Sequence, residues 1–162
     1  MKLLNTRSGY GLVSLALHWA VVLGIIAQWA LAESDNVPLH QSIGMAILAL
    51  AVVRLLWRLT NPAPEWPADM KPYEITLARV VHVAFYVLLF ALPLSGWALS
   101  STEDEPLRIF GWFDLPRIVV GSEDTLEELH ETLFNLLVAL AALHVLGAIK
   151  HWIASRRRLR MA

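Results

Sequence analysis

Five of the six histidines in this chain fall well inside long apolar stretches, and the sixth, His151, lies at the end of one. His18 lies in the first stretch, His40 in the second, His82 in the third, and His130 and His144 in the fourth. An ionisable ring inside a membrane span is costly, so it points first to function. His130 and His144 are fourteen residues apart. That is close to four helical turns, so both rings face nearly the same way, roughly 21 Å apart along one axis. One helix then offers two imidazoles to a bundle interior, one toward each membrane face. Paired imidazoles from facing helices are the donor set of a six-coordinate b-type haem.

Such rings need long helices to carry them. The chain has 162 residues, 57% hydrophobic and 17% charged. A soluble domain would be near half apolar and a quarter charged. The apolar residues come in blocks long enough to span a bilayer. The expected spans are about 11–32, 38–59, 75–99 and 126–153, making residues 1–162 one all-α membrane domain, a four-helix bundle. The first block is too long for a cleavable signal and carries His18 and Gln28. The connectors are 33–37, 60–74 and 100–125. Pro62, Pro64 and Pro67 forbid a helix in the second and favour an extended hairpin. The third is acidic at both ends, with an apolar centre, 109–120, suited to the interface. Pro93 is expected to kink the third span.

Cysteine is absent, which removes disulfides, iron–sulfur clusters and covalently attached haem. The net charge of -1 gives no footprint for nucleic acid. Of 13 lysines and arginines, only Arg108 and Arg117 lie on the side of the first and third connectors. The others, including Lys2, Arg54, Arg58, Lys150, Arg156, Arg157, Arg158 and Arg160, lie on the side of the termini. The positive-inside rule therefore puts both termini in the cytoplasm. The opposite side carries Glu33, Asp35, Glu103, Asp104, Glu105, Glu123, Asp124, Glu127 and Glu128.

On that topology His18 and His144 lie about two turns from the cytoplasmic face, and His40 and His130 within about a turn of the outer face. Each pair can meet across one plane. His82 lies level with His18 and His144, and spacing alone leaves open which two of the three would bind iron. Gly44, Ala46, Ala49, Ala139, Ala141, Ala142, Gly147 and Ala148 leave room for a flat porphyrin. His40, Gly44, Ile47, Ala51, Arg54 and Arg58 form one stripe on the second span. That stripe brings Arg54 and Arg58 to the cytoplasmic end, where haem propionates would need cations. His151 is either an interfacial histidine beside Trp152 or a proton-transfer group.

At these residues the chain resembles the bacterial cytochrome b561 family, small di-haem cytochromes of the inner membrane. The resemblance runs through Tyr10, Ser14-Leu15-Ala16-Leu17-His18-Trp19 and His40-Gln41-Ser42-Ile43-Gly44. It continues in Val53-Arg54-Leu55-Leu56-Trp57-Arg58, Pro62, Pro64, His82, Tyr86, Ala91-Leu92-Pro93 and Gly96. It closes with Phe110-Gly111, Leu115-Pro116, His130-Glu131-Thr132 and His144. The ordered set carries the likeness, not any one motif. The resemblance implies two haems b, with His18 and His144 as axial ligands of one and His40 and His130 of the other. It also implies ubiquinone as redox partner, and in at least one member type superoxide as the outer donor.

The expected function is therefore electron transfer from superoxide at the periplasmic face to ubiquinone in the inner membrane. Arg108 and Arg117 would attract the anion, against the surrounding acids. His82 and His151 would handle the protons of quinone reduction. The alternative is a haem-bearing anchor subunit for a separate dehydrogenase or hydrogenase. A histidine-based metal-ion transporter is the third reading; apart from Glu131, the interiors of the spans lack carboxylates.

Overall fold

The computed structural model describes residues 2–34, 36–67, 70–103, 105–118 and 121–159. Asp35, Asp104, Val120 and Arg160, which contribute charge or hydropathy to the sequence, lie outside the described residues, as do the side chains of Arg157 and Arg158. Four helices dominate: α1 (Leu12–Ala32), α2 (Val37–Thr60), α3 (Pro72–Ser100) and α4 (Glu123–Leu159). All four are long and apolar enough to cross a membrane. A spanning segment must satisfy its own backbone polar groups, and the helix does so. Leu23, Ile26, Val52, Leu56, Val80, Val83, Val87, Leu143 and Leu146 point outward and are exposed, as lipid-facing residues are.

Local chemistry sets the ends. Asn36 caps α2 by accepting from the Leu39 amide at 3.2 Å, and Pro38 stands in its first turn. The Glu74 carboxylate accepts from the Lys71 amide at 3.0 Å at the start of α3. Glu74 also takes Lys150 Nζ at 2.6 Å, tying α3 to α4. At the start of α1, Asn5 Oδ1 accepts from the Gly11 amide at 2.8 Å and from Ser14 Oγ at 2.7 Å. Asn5 also reaches past the end of α2. Its amide donates to Asn61 Oδ1 at 3.0 Å and its Nδ2 to the Asn61 carbonyl at 3.1 Å. The Trp57 indole donates to Ser14 Oγ at 2.9 Å. α3 continues through Pro93 without a break.

The third connector is more ordered than its sequence suggests. Two-residue strands β1 (Arg108–Ile109) and β2 (Phe113–Asp114) pair antiparallel. Phe110 and Gly111 turn between them with φ of 47° and 75°. Among the described residues the regular structure is helical apart from this small hairpin and an isolated bridge between Thr6 and Gly9. Phe110 donates its amide to Ser42 Oγ at 3.0 Å, and Arg117 donates twice to the Ser101 carbonyl. The connector is thus fastened to the ends of α2 and α3. The bundle has a hairpin end, where this connector lies, and a termini end, where α1 begins and α4 finishes.

The helices pack in sequence, α1 on α2, α2 on α3 and α3 on α4, and among the described residues α4 makes no comparable backbone approach to α1 or α2. Val21, Ile47, Ala51 and Leu89 form the buried core between α1, α2 and α3. Gly24 lets α1 close on Ile47, the use of small residues expected where packing and not water drives association. Gly44, Ile47 and Ala51 are buried, so the middle of the expected stripe on α2 faces inward, while Arg58 at its end is exposed.

Candidate haem-binding sites

Both histidine pairs bridge the gap that separates α4 from α1 and α2. At the hairpin end, His40 on α2 and His130 on α4 have ring centroids 6.3 Å apart. At the termini end, His18 on α1 and His144 on α4 have centroids 6.4 Å apart. A metal held about 2 Å from each of two imidazole nitrogens, each about 1.15 Å from its own ring centre, sets the centroids roughly 6.3 Å apart. Both pairs match that separation. His82 is nearer to His144, at 5.6 Å, so His144 has two imidazole neighbours at this end. Among the described residues no group of three or more His, Asp or Glu side chains is placed to hold a bare metal ion.

The hairpin-end pair lines a cavity of about 520 Å³ between α1, α2, α3 and α4. Its walls are mostly apolar, including Ile25, Leu88, Leu92, Phe134 and Leu137, with Leu107 contributed by the connector. This size is ordinary for a small-molecule or cofactor site. Gly44 and Gly96 line it; a Cβ on Gly96 would stand 3.0 Å from His130 Cε1. Two polar atoms in the lining, Gln28 Oε1 and His40 Nδ1, are buried with no hydrogen-bond partner. Buried polar atoms without partners mark a place where a further group belongs. An apolar slot with facing imidazoles and two such atoms fits a porphyrin. Glu103, Glu127 and Glu131 also line it and are exposed, so its rim is acidic.

His130 Nδ1 lies 2.9 Å from Ser95 Oγ, and Ser95 donates to the Leu92 carbonyl at 2.8 Å. At the termini end Arg54 Nη1 lies 3.0 Å from His18 Nδ1. Guanidinium only donates, so His18 Nδ1 accepts. His82 Nδ1 lies 2.6 Å from the Ala78 carbonyl. That oxygen only accepts, so His82 carries its proton on Nδ1 and its Nε2 is free. The Phe85 ring meets His144 edge-on at 5.3 Å. Arg54 is thus brought to the three rings, and Arg58, one turn on, is exposed. His151 is half-buried near the Glu74–Lys150 pair, away from the ring cluster.

The two hairpin-end arginines are both engaged. Arg108 Nε meets Asp114 Oδ1 at 2.7 Å across the hairpin, and that hydrogen bond holds the Asp114 carboxyl below the usual carboxylate range. Arg117 braces the Ser101 carbonyl at 2.8 and 3.0 Å. Ser95, Phe85 and Gln28 are site residues that spacing did not reveal. A serine or phenylalanine in an apolar helix carries no pattern of its own; only its partner gives it meaning.

The chain is similar to known proteins over most of its length. The family model described as prokaryotic cytochrome b561 matches residues 9–161. Cytochrome b561 homolog 2 of Escherichia coli (strain K12) is 34% identical over 93% of this chain and 88% of its own length. A probable superoxide oxidase CybB of Yersinia pestis is 30% identical over 88% of each chain. Cytochrome b561 homolog 1 of E. coli (strain K12) is 25% identical over 83% of this chain and 85% of its own.

Proposed function

We propose that this chain, which belongs to the prokaryotic cytochrome b561 family, is a di-haem electron carrier that oxidises superoxide and reduces ubiquinone. Membership and four membrane-length helices make it a multi-pass bacterial membrane protein of haem-based electron transport. The two-haem count, the substrates, the inner membrane and a cytoplasmic location for both termini belong to the proposal. The observation that carries it is the pair of histidine couples, at 6.3 and 6.4 Å, across the gap beside α4.

His40 and His130 would hold one haem b, and His18 and His144 the other. Bound there, the haems supply one-electron carriage between the two ends of the bundle. The residues around them do the rest. Arg54 and Arg58 would pair with propionates, compensating charge that is costly at membrane depth. His82 and His151, near the termini end, would pass protons to a quinone, because imidazole titrates near neutral pH. The balanced reaction takes two superoxide anions, one ubiquinone and two protons to two dioxygen and one ubiquinol. At the hairpin end Arg117 would draw the anion in. Arg108 contributes less, since Asp114 matches its charge.

A superoxide donor is supported by the name of the Y. pestis relative. The acidic rim of Glu103, Glu127 and Glu131 favours a second reading, in which a protein subunit, a dehydrogenase or hydrogenase, delivers the electrons and this chain is its membrane anchor.

Purified protein tests both. A pyridine haemochrome assay should give two haems per chain, extractable with acid acetone. A superoxide-generating system should then reduce the oxidised protein. One haem with all histidines intact would end the two-pair reading. Reduction by quinol but not by superoxide would leave the anchor reading in its place.

A further inference from the structure

A histidine can present Nε2 to a metal only if its proton sits on Nδ1 and its plane is held. Metal-bound imidazoles usually have this arranged by a partner on the other nitrogen. In the hairpin-end pair His130 has such a partner in the Ser95 hydroxyl. Ser95 is 6% exposed, three residues after Leu92 on α3, and has one hydroxyl proton. That proton goes to the Leu92 carbonyl at 2.8 Å, which cannot donate in return. With the hydroxyl so oriented, the 2.9 Å contact between Ser95 Oγ and His130 Nδ1 takes its proton from the ring. That arrangement makes His130 the Nδ1–H tautomer, with the lone pair on Nε2. Gly96, the next residue, lets the ring lie against α3, because a Cβ there would be 3.0 Å from His130 Cε1 and 3.4 Å from Nδ1.

We propose that Ser95 is a positioning residue for His130, acting through the Leu92 carbonyl–Ser95 hydroxyl–Nδ1 chain with Gly96 as the seat of the ring. This rests on the reading that His130 is a haem ligand. Accepting the Nδ1 proton makes the ring a stronger donor through Nε2, which favours the oxidised metal. Removing the hydroxyl should weaken that donor and raise the potential of this haem alone.

The test is a spectroelectrochemical and low-temperature EPR comparison of Ser95→Ala and Ser95→Thr with the parent protein. The hairpin-end haem is identified as the one absent from His40→Ala. Ser95→Ala should shift the midpoint of that haem upward, alter its low-spin EPR signal, and lower its affinity roughly tenfold or more. The other haem should not move. Ser95→Thr keeps a hydroxyl and should return the signal toward the parent. If buried space makes either variant fail to accumulate, Ser95→Cys, nearly isosteric but a poor acceptor, should give the same upward shift. A two-haem parent beside a Ser95→Ala or Ser95→Cys protein with unchanged midpoints and EPR overturns this proposal alone. A parent that lacks the hairpin-end haem overturns the ligand reading as well.

Discussion

At the hairpin end His130 faces His40 across a cavity that is already walled, with its proton placed by Ser95. At the termini end His144 meets two other rings, and a guanidinium sits on His18 Nδ1. The separations are nearly equal, but the preparation is not. His18, with Nδ1 accepting from Arg54, carries its proton on Nε2 when neutral. To bind a metal through Nε2 it must lose that proton, and a proton placed on Nδ1 would require Arg54 to turn away. His130 needs neither change. Equal ligand spacing therefore does not mean equal readiness, because the atom behind each ring decides which nitrogen is free.

The largest effect should come from removing ligands. His40→Ala or His130→Ala should delete the hairpin-end haem and spare the other, and His18→Ala or His144→Ala should do the reverse. Haem stoichiometry and difference spectra read this directly. His82→Ala should keep both haems; losing one while His18→Ala retains two would reassign the termini-end pair.

The comparison sharpens in reconstitution. Haem-free protein titrated with haemin should fill the hairpin-end site first, resolved by the spectrum that His40→Ala lacks. Filling in the opposite order would show that tautomer preparation does not govern uptake. With its guanidinium turned from His18 to a propionate, Arg54 would hold the termini-end haem, so Arg54→Gln should weaken that haem by about tenfold, the lower end for a hydrogen bond to a charged group. It should leave the hairpin-end midpoint in place.

Smaller effects belong to the hairpin-end cations. Replacing Arg108 and Arg117 together with Gln should slow reduction by superoxide a few-fold and flatten its salt dependence, since exposed charges act over roughly 10 Å at 0.1 M salt. Reduction by neutral quinol should be unaffected. An unchanged rate with superoxide would remove both arginines from the reaction.

The smallest effect is the pH response of the hairpin. Asp114 has a lowered pKa when folded, so its pairing with Arg108 contributes fully above the ordinary carboxylate range. The contribution is lost as pH falls through the lowered value. Fluorescence attributable to Trp112, 85% exposed beside the turn, should be flat from pH 8 to 5. It should change only below about pH 4, and Asp114→Asn should abolish that change.

Most of the frame was readable from residue order, because long apolar blocks in lipid have no alternative to helix. The expected spans differ from the helices by three residues or fewer, except that α4 runs to Leu159. The apolar pattern stops near Ile153, but arginine and alanine are good helix formers and carry the helix onward. The hairpin was not readable, since two-residue strands are too short to show alternation. Spacing put His82 level with His18, and both rings do lie beside His144; the preference for His18 rests on the family resemblance. Ser95 escaped because its partner lies 35 residues away. Arg108 looked like a free cation until its cross-strand neighbour Asp114 was placed.

The knot around Asn5 bears on how the protein is made. The first turn of α1 is held by a side chain that also grips Asn61, beyond the far end of α2. Gly11 is packed so tightly under residues 3 and 4 that a Cβ there would run into their backbone. A nascent chain cannot close this clasp until residue 61 has left the ribosome and both helices have crossed the bilayer. The first two spans therefore mature as one helical hairpin, sealed after insertion. Protease protection of the first dozen residues should appear only in chains that extend past residue 61. Asn5→Ala should remove that protection while leaving both spans in the membrane.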